Sequence, residues 1–450
     1  MATITLKQAA AWCGGYVEEQ YENVEFLGAN NDTRVLKPGQ LFIVLQGARD
    51  GHDFIPAAME RGAAAVLCSR KVGDYPAIYV EDPRIALGLI AREELKRIGC
   101  KTVGVTGSVG KSTTKEMIAS VLSGAYRVSK TPANHNNDIG MPMAILSMDA
   151  DTEVAVLEMG MNHFREIAYL SNIGRPDVGV IINVGTMHIE FLGSREGIRK
   201  AKMEIVEGMA PEGQLLLCGD YELLRNLDEM PAQPITYFGI GGENQVRGEG
   251  ICQEPGLLNF TARWDEGQIP VELALEGEHF VPDALAAVAV GLKLGVAPEV
   301  IRQQLAAFEN MAGRQEIFRA GECTIIKDCY NAGPESMAAA LNVLGNRQGR
   351  KIAVLGDMLE LGDCADEEHF RLGRTAAAKA DLIFAYGPHG NRVVAGAEDA
   401  GMEKAFAFDS HDTLAAQLKK VVQPGDVLLF KGSRGMHMEI SLEKFLDQEK

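Results

Sequence analysis

Short, continuous apolar runs separated by helix-like stretches dominate the chain. Between residues 102 and 184, three runs at 102–105, 153–157 and 178–184 carry no polar alternation. Strands buried on both faces read this way, so a parallel sheet covered by helices is expected. Ahead of it, residues 1–97 alternate strand-like runs at 41–45, 64–68 and 77–80 with helical ones at 56–61 and 85–97. Residues 213–275 hold shorter alternating runs and turns at 239–242 and 254–256, which predicts an antiparallel section attached to the central sheet. An alanine-rich helix is expected over 282–294, and the pattern restarts near Met311-Ala312-Gly313-Arg314, with strands at 324–326, 352–355 and 427–430. At 450 residues the chain is too long for one ordinary core. The expectation is an α/β protein of three domains: a small N-terminal α/β domain over 1–97, a doubly wound central one over 98–312, and a Rossmann-like C-terminal one over 313–450.

Directly after the run at 102–105 comes Thr106-Gly107-Ser108-Val109-Gly110-Lys111-Ser112-Thr113, opening a helix-like stretch. Glycines let backbone N–H groups cradle phosphates, a lysine supplies charge to the outer ones, and a hydroxyl ligates magnesium. The general pattern places its first glycine where this chain has Val105, so the match is imperfect. The bland reading is a glycine-rich turn between strand and helix. The functional one makes the central domain P-loop ATPase-like and the chain an ATP-using enzyme.

Charge narrows the partners. Lys and Arg number 44 against 62 Asp and Glu, a formal net charge of −18 with no basic run, which argues against nucleic acid or an anionic membrane surface. An acidic protein that handles ATP needs local positive charge at the phosphates, hence magnesium. The first residues, Met1-Ala2-Thr3-Ile4-Thr5-Leu6-Lys7, do not read as a secretory signal. No apolar run approaches the roughly 20 residues of a membrane span. The eight cysteines are scattered without a C-x-x-C pair, and are expected to be reduced, mostly buried and cytosolic.

In parallel sheets, ligands collect beyond the carboxyl ends of the strands. Glu158 follows one run and either stands beside the phosphate loop as a magnesium ligand or caps the next helix. His188, a few residues past another, is either a ligand or a structural histidine. Over 194–209, Ile198, Lys202, Ile205 and Met209 are spaced by four, three and four, placing a lysine on an apolar helical face. Desolvation lowers an amine's pKa, and a neutral amine reacts with carbon dioxide to give a carbamate. The alternative is a lysine snorkelling to the helix edge. The segment Asn134-His135-Asn136-Asn137-Asp138 makes turns or offers donors and acceptors to a sugar or phosphate. In the last domain, Arg314 lies at the junction, Asp328 ends a strand before Tyr330 and Asn331, and Lys431 ends another. Each has an ordinary surface-loop alternative.

Taken together, these segments resemble the Mur ligases of bacterial peptidoglycan synthesis over nearly the whole chain. The pieces that carry the likeness are Asp32-Thr33-Arg34, Asp50-Gly51-His52, the phosphate loop, residues 134–142, Glu158-Met159-Gly160, His188-Ile189-Glu190, Ala201-Lys202-Met203-Glu204-Ile205, Gly313-Arg314, residues 328–336, residues 354–362 and Lys431-Gly432-Ser433-Arg434. The stretches at 328–336 and 354–362 are the most specific, and resemble the branch that adds D-alanyl-D-alanine to UDP-N-acetylmuramoyl-tripeptide. The resemblance implies that Lys111, Glu158, His188 and Lys202 carry catalysis, that Ser112, Glu158, His188 and carbamylated Lys202 hold magnesium, and that Asp283, Arg314 and Asp328 join the phosphate loop in binding ATP. It assigns Asp32, Thr33, Arg34, Asp50, Gly51 and His52 to the UDP-sugar, and Asn134, Asn137, Tyr330, Asn331 and Lys431 to substrate. One departure stands out: before the alanine-rich helix, Phe280 and Asp283 occupy positions where the family commonly has asparagine. Aspartate lacks the amide's donors, which bears on nucleotide affinity or selectivity.

The expected activity is ATP-driven amide formation through an acyl phosphate, by a cytoplasmic monomer at the last cytoplasmic step of peptidoglycan precursor synthesis. Its rivals are another ligase on the same scaffold, of the folylpolyglutamate or third-residue-adding type, and a nucleotide-gated regulatory protein.

Overall fold

The computed structural model describes residues 3–71, 73–311 and 313–447. Sheets of five, nine and six strands follow one another along the chain, beside a two-stranded ribbon near the N-terminus. In the first, strands Ala29–Asn30, Leu41–Ile43, Ala65–Cys68 and Ala77–Tyr79 run parallel, with Tyr16–Val17 antiparallel at one edge. Helix Pro83–Ile98 starts on Asp82, whose carboxylate accepts from the Arg84 and Ile85 N–H groups, and stops at Gly99 in a left-handed conformation.

The nine-stranded sheet holds the centre. Strand Lys101–Thr106 lies between Val178–Ile181 and Val154–Glu158, all parallel, and the phosphate loop leaves its carboxyl end for helix Lys111–Ser123. Gln214–Cys218 and Ile235–Gly239, expected to be antiparallel, instead extend the parallel sheet. The first is buried along its whole length, as a strand covered on both faces must be. Only Val246–Glu254, Leu257–Trp264 and Gly267–Leu273 form an antiparallel meander, and their burial alternates. The alanine-rich helix spans Phe280–Lys293.

In the third sheet the expected strands are Cys323–Asp328, Lys351–Gly356 and Val427–Lys431. Three more complete it: Leu382–Tyr386, between Lys351–Gly356 and the edge strand Ala405–Phe408, and the antiparallel strand Glu316–Ala320 at the other edge. All eight cysteines are free thiols, but only Cys68, Cys218, Cys323 and Cys329 are buried, while Cys252 and Cys364 are exposed. Among the described residues, no helix is long and apolar enough to cross a membrane.

The cores divide unevenly. One apolar cluster runs from Leu6, Leu41 and Leu87 to Val105, Ile145 and Leu285, so the first and central units share it. The clusters on the two faces of the third sheet draw only on residues beyond 316. Burying one Leu or Ile side chain contributes roughly 1.5–3 kcal/mol. The first two units are therefore bound by a common interior, whereas the third is attached chiefly by polar side chains.

Candidate active site

A cleft of about 920 Å³ opens between the central and third units. Ser108–Thr113 line one wall with Asn134, Asn137, Glu158, His188 and Asp283; Arg314, Asp328, Tyr330, Asn331 and Lys431 line the other. The phosphate loop is braced by a residue beyond the Val178–Ile181 strand. Asn183 Oδ1 accepts from the Ser108 N–H at 2.8 Å and the Val109 N–H at 3.0 Å, while its amide donates to Val109 O at 2.9 Å. Gly110 begins the helix at φ 81°, and a Cβ there would lie 2.8 Å from Asp283 Oδ1. Glycine is required on both counts. The Lys111 ammonium bonds the carbonyls of Gly107 and Ser108 at 2.8 and 3.2 Å. Burial lowers its pKa, opposed by the Glu158 carboxylate.

Glu158 ends its strand almost wholly buried. Its Oε1 accepts from Asn136 Nδ2 at 2.8 Å, while Oε2 has no hydrogen-bond donor among the described residues and lies 3.7 Å from the Lys115 ammonium. Lys115 is itself buried and donates to Thr131 O at 2.7 Å and Ala133 O at 3.3 Å, pinning the loop that carries Asn136. Lys202 is also buried, and burial, reinforced by the nearby Lys111 charge, holds its pKa well below the usual amine value. The helical segment around it is shorter than expected. The α-helix covers Arg195–Met203 and gives way to a 3₁₀ turn, Glu204–Gly208, although Ile198, Lys202, Ile205 and Met209 are all buried.

Outside the phosphate-loop wall, Gln315 donates to the Glu276 carbonyl and Arg347 pairs with the Glu276 carboxylate; within the cleft the third unit reaches across through Arg314, Glu335 and Glu360. Arg314 Nη2 donates to Ser112 Oγ at 3.0 Å, and its guanidinium rests on the Tyr330 ring, 4.2 Å from the centroid. Glu335 accepts from the Thr186 N–H at 2.8 Å and its hydroxyl at 3.1 Å, and a Cβ on Gly185 would meet that carboxylate at 2.7 Å. Glu360 Oε2 lies 2.7 Å from His188 Nδ1. His188 thereby holds the Glu360 carboxyl below the ordinary glutamate range. Behind this face, Lys431 donates to Asp328 Oδ2 at 2.6 Å and to Asn331 O at 3.0 Å.

A second buried carboxylate, Asp283, stands beside the phosphate loop. Asp283 accepts from Thr114 Oγ1 at 2.7 Å, and burial pushes its pKa up to about 7 against the pull of Thr114 and Arg314. Asn137 shapes the backbone, its Oδ1 accepting from the Gly140 N–H at 2.7 Å where helix Gly140–Leu146 begins. Asp32, Thr33, Arg34, Asp50, Gly51 and His52 do not line the cleft. They form separate pairings on the first unit, Asp32 with Arg34 at 2.7 Å, and Asp50 with His52 Nδ1 at 2.7 Å and Arg70 at 2.6 Å.

Residues 105–291 match the Mur ligase middle domain and residues 313–434 the domain described as Mur ligase, glutamate ligase domain. The UDP-N-acetylmuramoyl-tripeptide–D-alanyl-D-alanine ligase of Bacillus subtilis is 40% identical over 436 residues, covering 95% of this chain and 94% of that protein. The chain belongs to the Mur ligase family. Among solved structures, MurF from Acinetobacter baumannii aligns with a TM-score of 0.93 at 33% identity over 100% of both chains. MurF ligase from Thermotoga maritima, solved in complex with ADP, aligns with a TM-score of 0.83 at 31% identity, covering 93% of this chain and 97% of that one.

Four residues of this Mur ligase site escape a reading by strand ends and motifs. Asn183 lies two residues past its strand, so the strand-end rule applied one position further would find it. Asn136 and Glu335 sit inside segments that carry the family likeness, yet only their contacts separate them from their neighbours. Lys115 reads as a surface helix lysine, and nothing in the sequence signals its burial.

Proposed function

We propose that this Mur ligase uses ATP to join D-alanyl-D-alanine to the terminal carboxylate of UDP-N-acetylmuramoyl-tripeptide. The observation that carries this reading is the convergence on one cleft of the phosphate loop, the Glu158 carboxylate and Arg314 from the opposite unit. In the proposed cycle the loop N–H groups and Lys111 hold the β- and γ-phosphates, Lys111 exchanging its carbonyl partners for phosphate oxygens. The substrate carboxylate attacks the γ-phosphorus, ADP leaves, and an acyl phosphate forms. The dipeptide amine then attacks the carbonyl carbon and loses a proton, and phosphate departs with its bonding electrons. Arg314 offsets charge on the transferring group, and closure of the third unit keeps water from the acyl phosphate.

The site fits magnesium: Glu158 Oε2 is a buried acceptor with no donor among the described residues. No cluster of three His, Cys, Asp or Glu side chains exists among the described residues, so water, phosphate oxygens or a further anion would complete the ligand set. A carbamate on Lys202 would supply such an anion, and Ser112, Glu158 and His188 would be the other protein ligands. The ion, when bound, offsets phosphate charge. Asp283 and Asp328 are assigned to the nucleotide, Tyr330, Asn331 and Lys431 to the incoming amine side, Asn134 and Asn137 to the carboxylate substrate, and the first unit's Asp32–Arg34 and Asp50–His52 to the UDP-sugar. We assign the three units to residues 1–97, 98–312 and 313–450; the second boundary falls on Ala312, outside the described residues. We assign the enzyme to the cytoplasm, where ATP and nucleotide-linked precursors are available, and read it as a monomer, since one chain carries both walls of the cleft.

Phosphate release from ATP and magnesium with UDP-N-acetylmuramoyl-tripeptide, with and without D-alanyl-D-alanine, tests the assignment. Dipeptide-dependent release with a product carrying the added dipeptide is expected. Release indifferent to the dipeptide would overturn the amine substrate, and no release the ligase reading itself.

A further inference from the structure

Beneath the loop that carries Glu360 lies a buried histidine that the proposed chemistry does not use. His369 sits on helix Ala365–Ala377, fully buried. Its Nδ1 donates to Ala365 O at 2.6 Å and its Nε2 accepts from the Met358 N–H at 2.9 Å. Only the neutral ring with its proton on Nδ1 makes both bonds. Met358 stands two residues past the end of strand Lys351–Gly356, in the loop that continues through Leu359 and Glu360 into the cleft. Ser433 supplies the other pins: its Oγ accepts from the Leu359 N–H at 2.9 Å and its own N–H donates to Asp357 O at 3.1 Å. Glu360, held at φ 62°, then reaches His188 on the central unit.

The groups facing the His369 ring are few. Asp357 Oδ1 lies 3.8 Å from Nε2, and the His389 ring stacks at 4.6 Å between centroids. Asp366 pairs with His389 at 3.0 Å, and Arg392 lies 3.8 Å from Asp366. Burial lowers the His369 pKa, with the histidine-to-carbonyl bond and Asp357 opposing it. A proton added to Nε2 would face the Met358 N–H and break that bond.

We propose that His369 is a positioning residue of the ligase, holding the 357–361 loop so that Glu360 engages His188 across the cleft. This role presupposes the ligase activity proposed for the cleft. It is exerted through backbone geometry, and His369 itself touches neither ATP nor the reacting carboxylate.

The test compares wild type, His369→Leu and His369→Gln in dipeptide-dependent phosphate release across pH, with ADP affinity and thermal melting measured for each. Glutamine retains an acceptor for the Met358 N–H but does not titrate. Expected is a kcat lower by on the order of tenfold in His369→Leu with ADP affinity unchanged, since the phosphate loop, Arg314 and Asp328 all lie outside the 357–361 loop. His369→Gln is expected to keep near-wild-type kcat at neutral pH and to lose the fall in rate that wild type shows on acidification. Wild-type kcat in a folded His369→Leu, or an unaltered acid limb in His369→Gln, overturns the proposal. Should the leucine variant not fold, the glutamine profile decides alone. Wild type without turnover would instead defeat the ligase reading, and this proposal with it.

Discussion

Arg314 and Ser112, 202 positions apart in sequence, are joined by a hydrogen bond of 3.0 Å from guanidinium to hydroxyl. The bond links the third unit to the first turn of the phosphate-loop helix, at the hydroxyl the proposed mechanism gives to magnesium. An arginine so placed contributes only when the units are together. Replacing Arg314 with alanine is expected to reduce kcat by about 10²–10³-fold. Lysine should not restore it, because a compact ammonium does not stack on Tyr330 as a planar guanidinium does. A lysine variant with wild-type kcat would remove arginine from this role.

Among the described residues, the Lys111 ammonium hydrogen-bonds only carbonyl oxygens of its own loop. Lys111→Ala is expected to abolish turnover with little change in melting temperature, because no other element depends on the ammonium. Near-wild-type phosphate release would sink the mechanism.

Asp283 gives stability a pH dependence. Its folded pKa, about 7, lies above its ordinary value of 3.8, so the folded state holds the proton more tightly. The stabilisation is therefore complete below about pH 4, declines as pH rises towards 7, and is absent above it. The span corresponds to on the order of 4 kcal/mol. Asp283→Asn keeps the acceptor for Thr114 and removes the charge. Denaturant titrations at about pH 5 and about pH 8 should show the variant gaining on wild type at the higher pH. A gain equal at both values would contradict the burial argument.

Lys202 combines burial with a neighbouring positive charge, and both favour the neutral amine that carbon dioxide requires. Activity is expected to fall in buffer stripped of carbon dioxide and to return on adding bicarbonate. Lys202→Arg should be inactive, since a guanidinium stays charged. Retained activity in that variant would exclude the carbamate.

Interdomain polar contacts should govern closure rather than folding. Glu335→Ala loses the clasp on Thr186 but leaves the separate core of the third unit intact. The expected outcome is a several-fold loss of kcat with a melting temperature close to wild type. A large fall in melting temperature would show that the clasp holds the fold instead.

By itself the sequence determined the buried strands, the phosphate loop and the order of units, because continuous apolar runs and a glycine-rich turn act through local backbone and burial preferences. Residues 214–218 went astray by composition, since turns nearby masked a run that burial on both faces makes parallel. Of the missed strands at 382–386 and 405–408, the first is an interior strand whose buried apolar run is of the same kind as the others, whereas the second is a four-residue edge strand with little periodic signal. Tertiary structure alone decided which polar residues meet. Asn183 bracing Ser108, Lys115 beneath Thr131, Arg314 on Ser112 and His369 beneath Met358 depend on how strand ends and helix faces converge in space. Hydrogen bonds are short-ranged and directional, so chain spacing cannot specify partners that only packing brings within about 3 Å of one another.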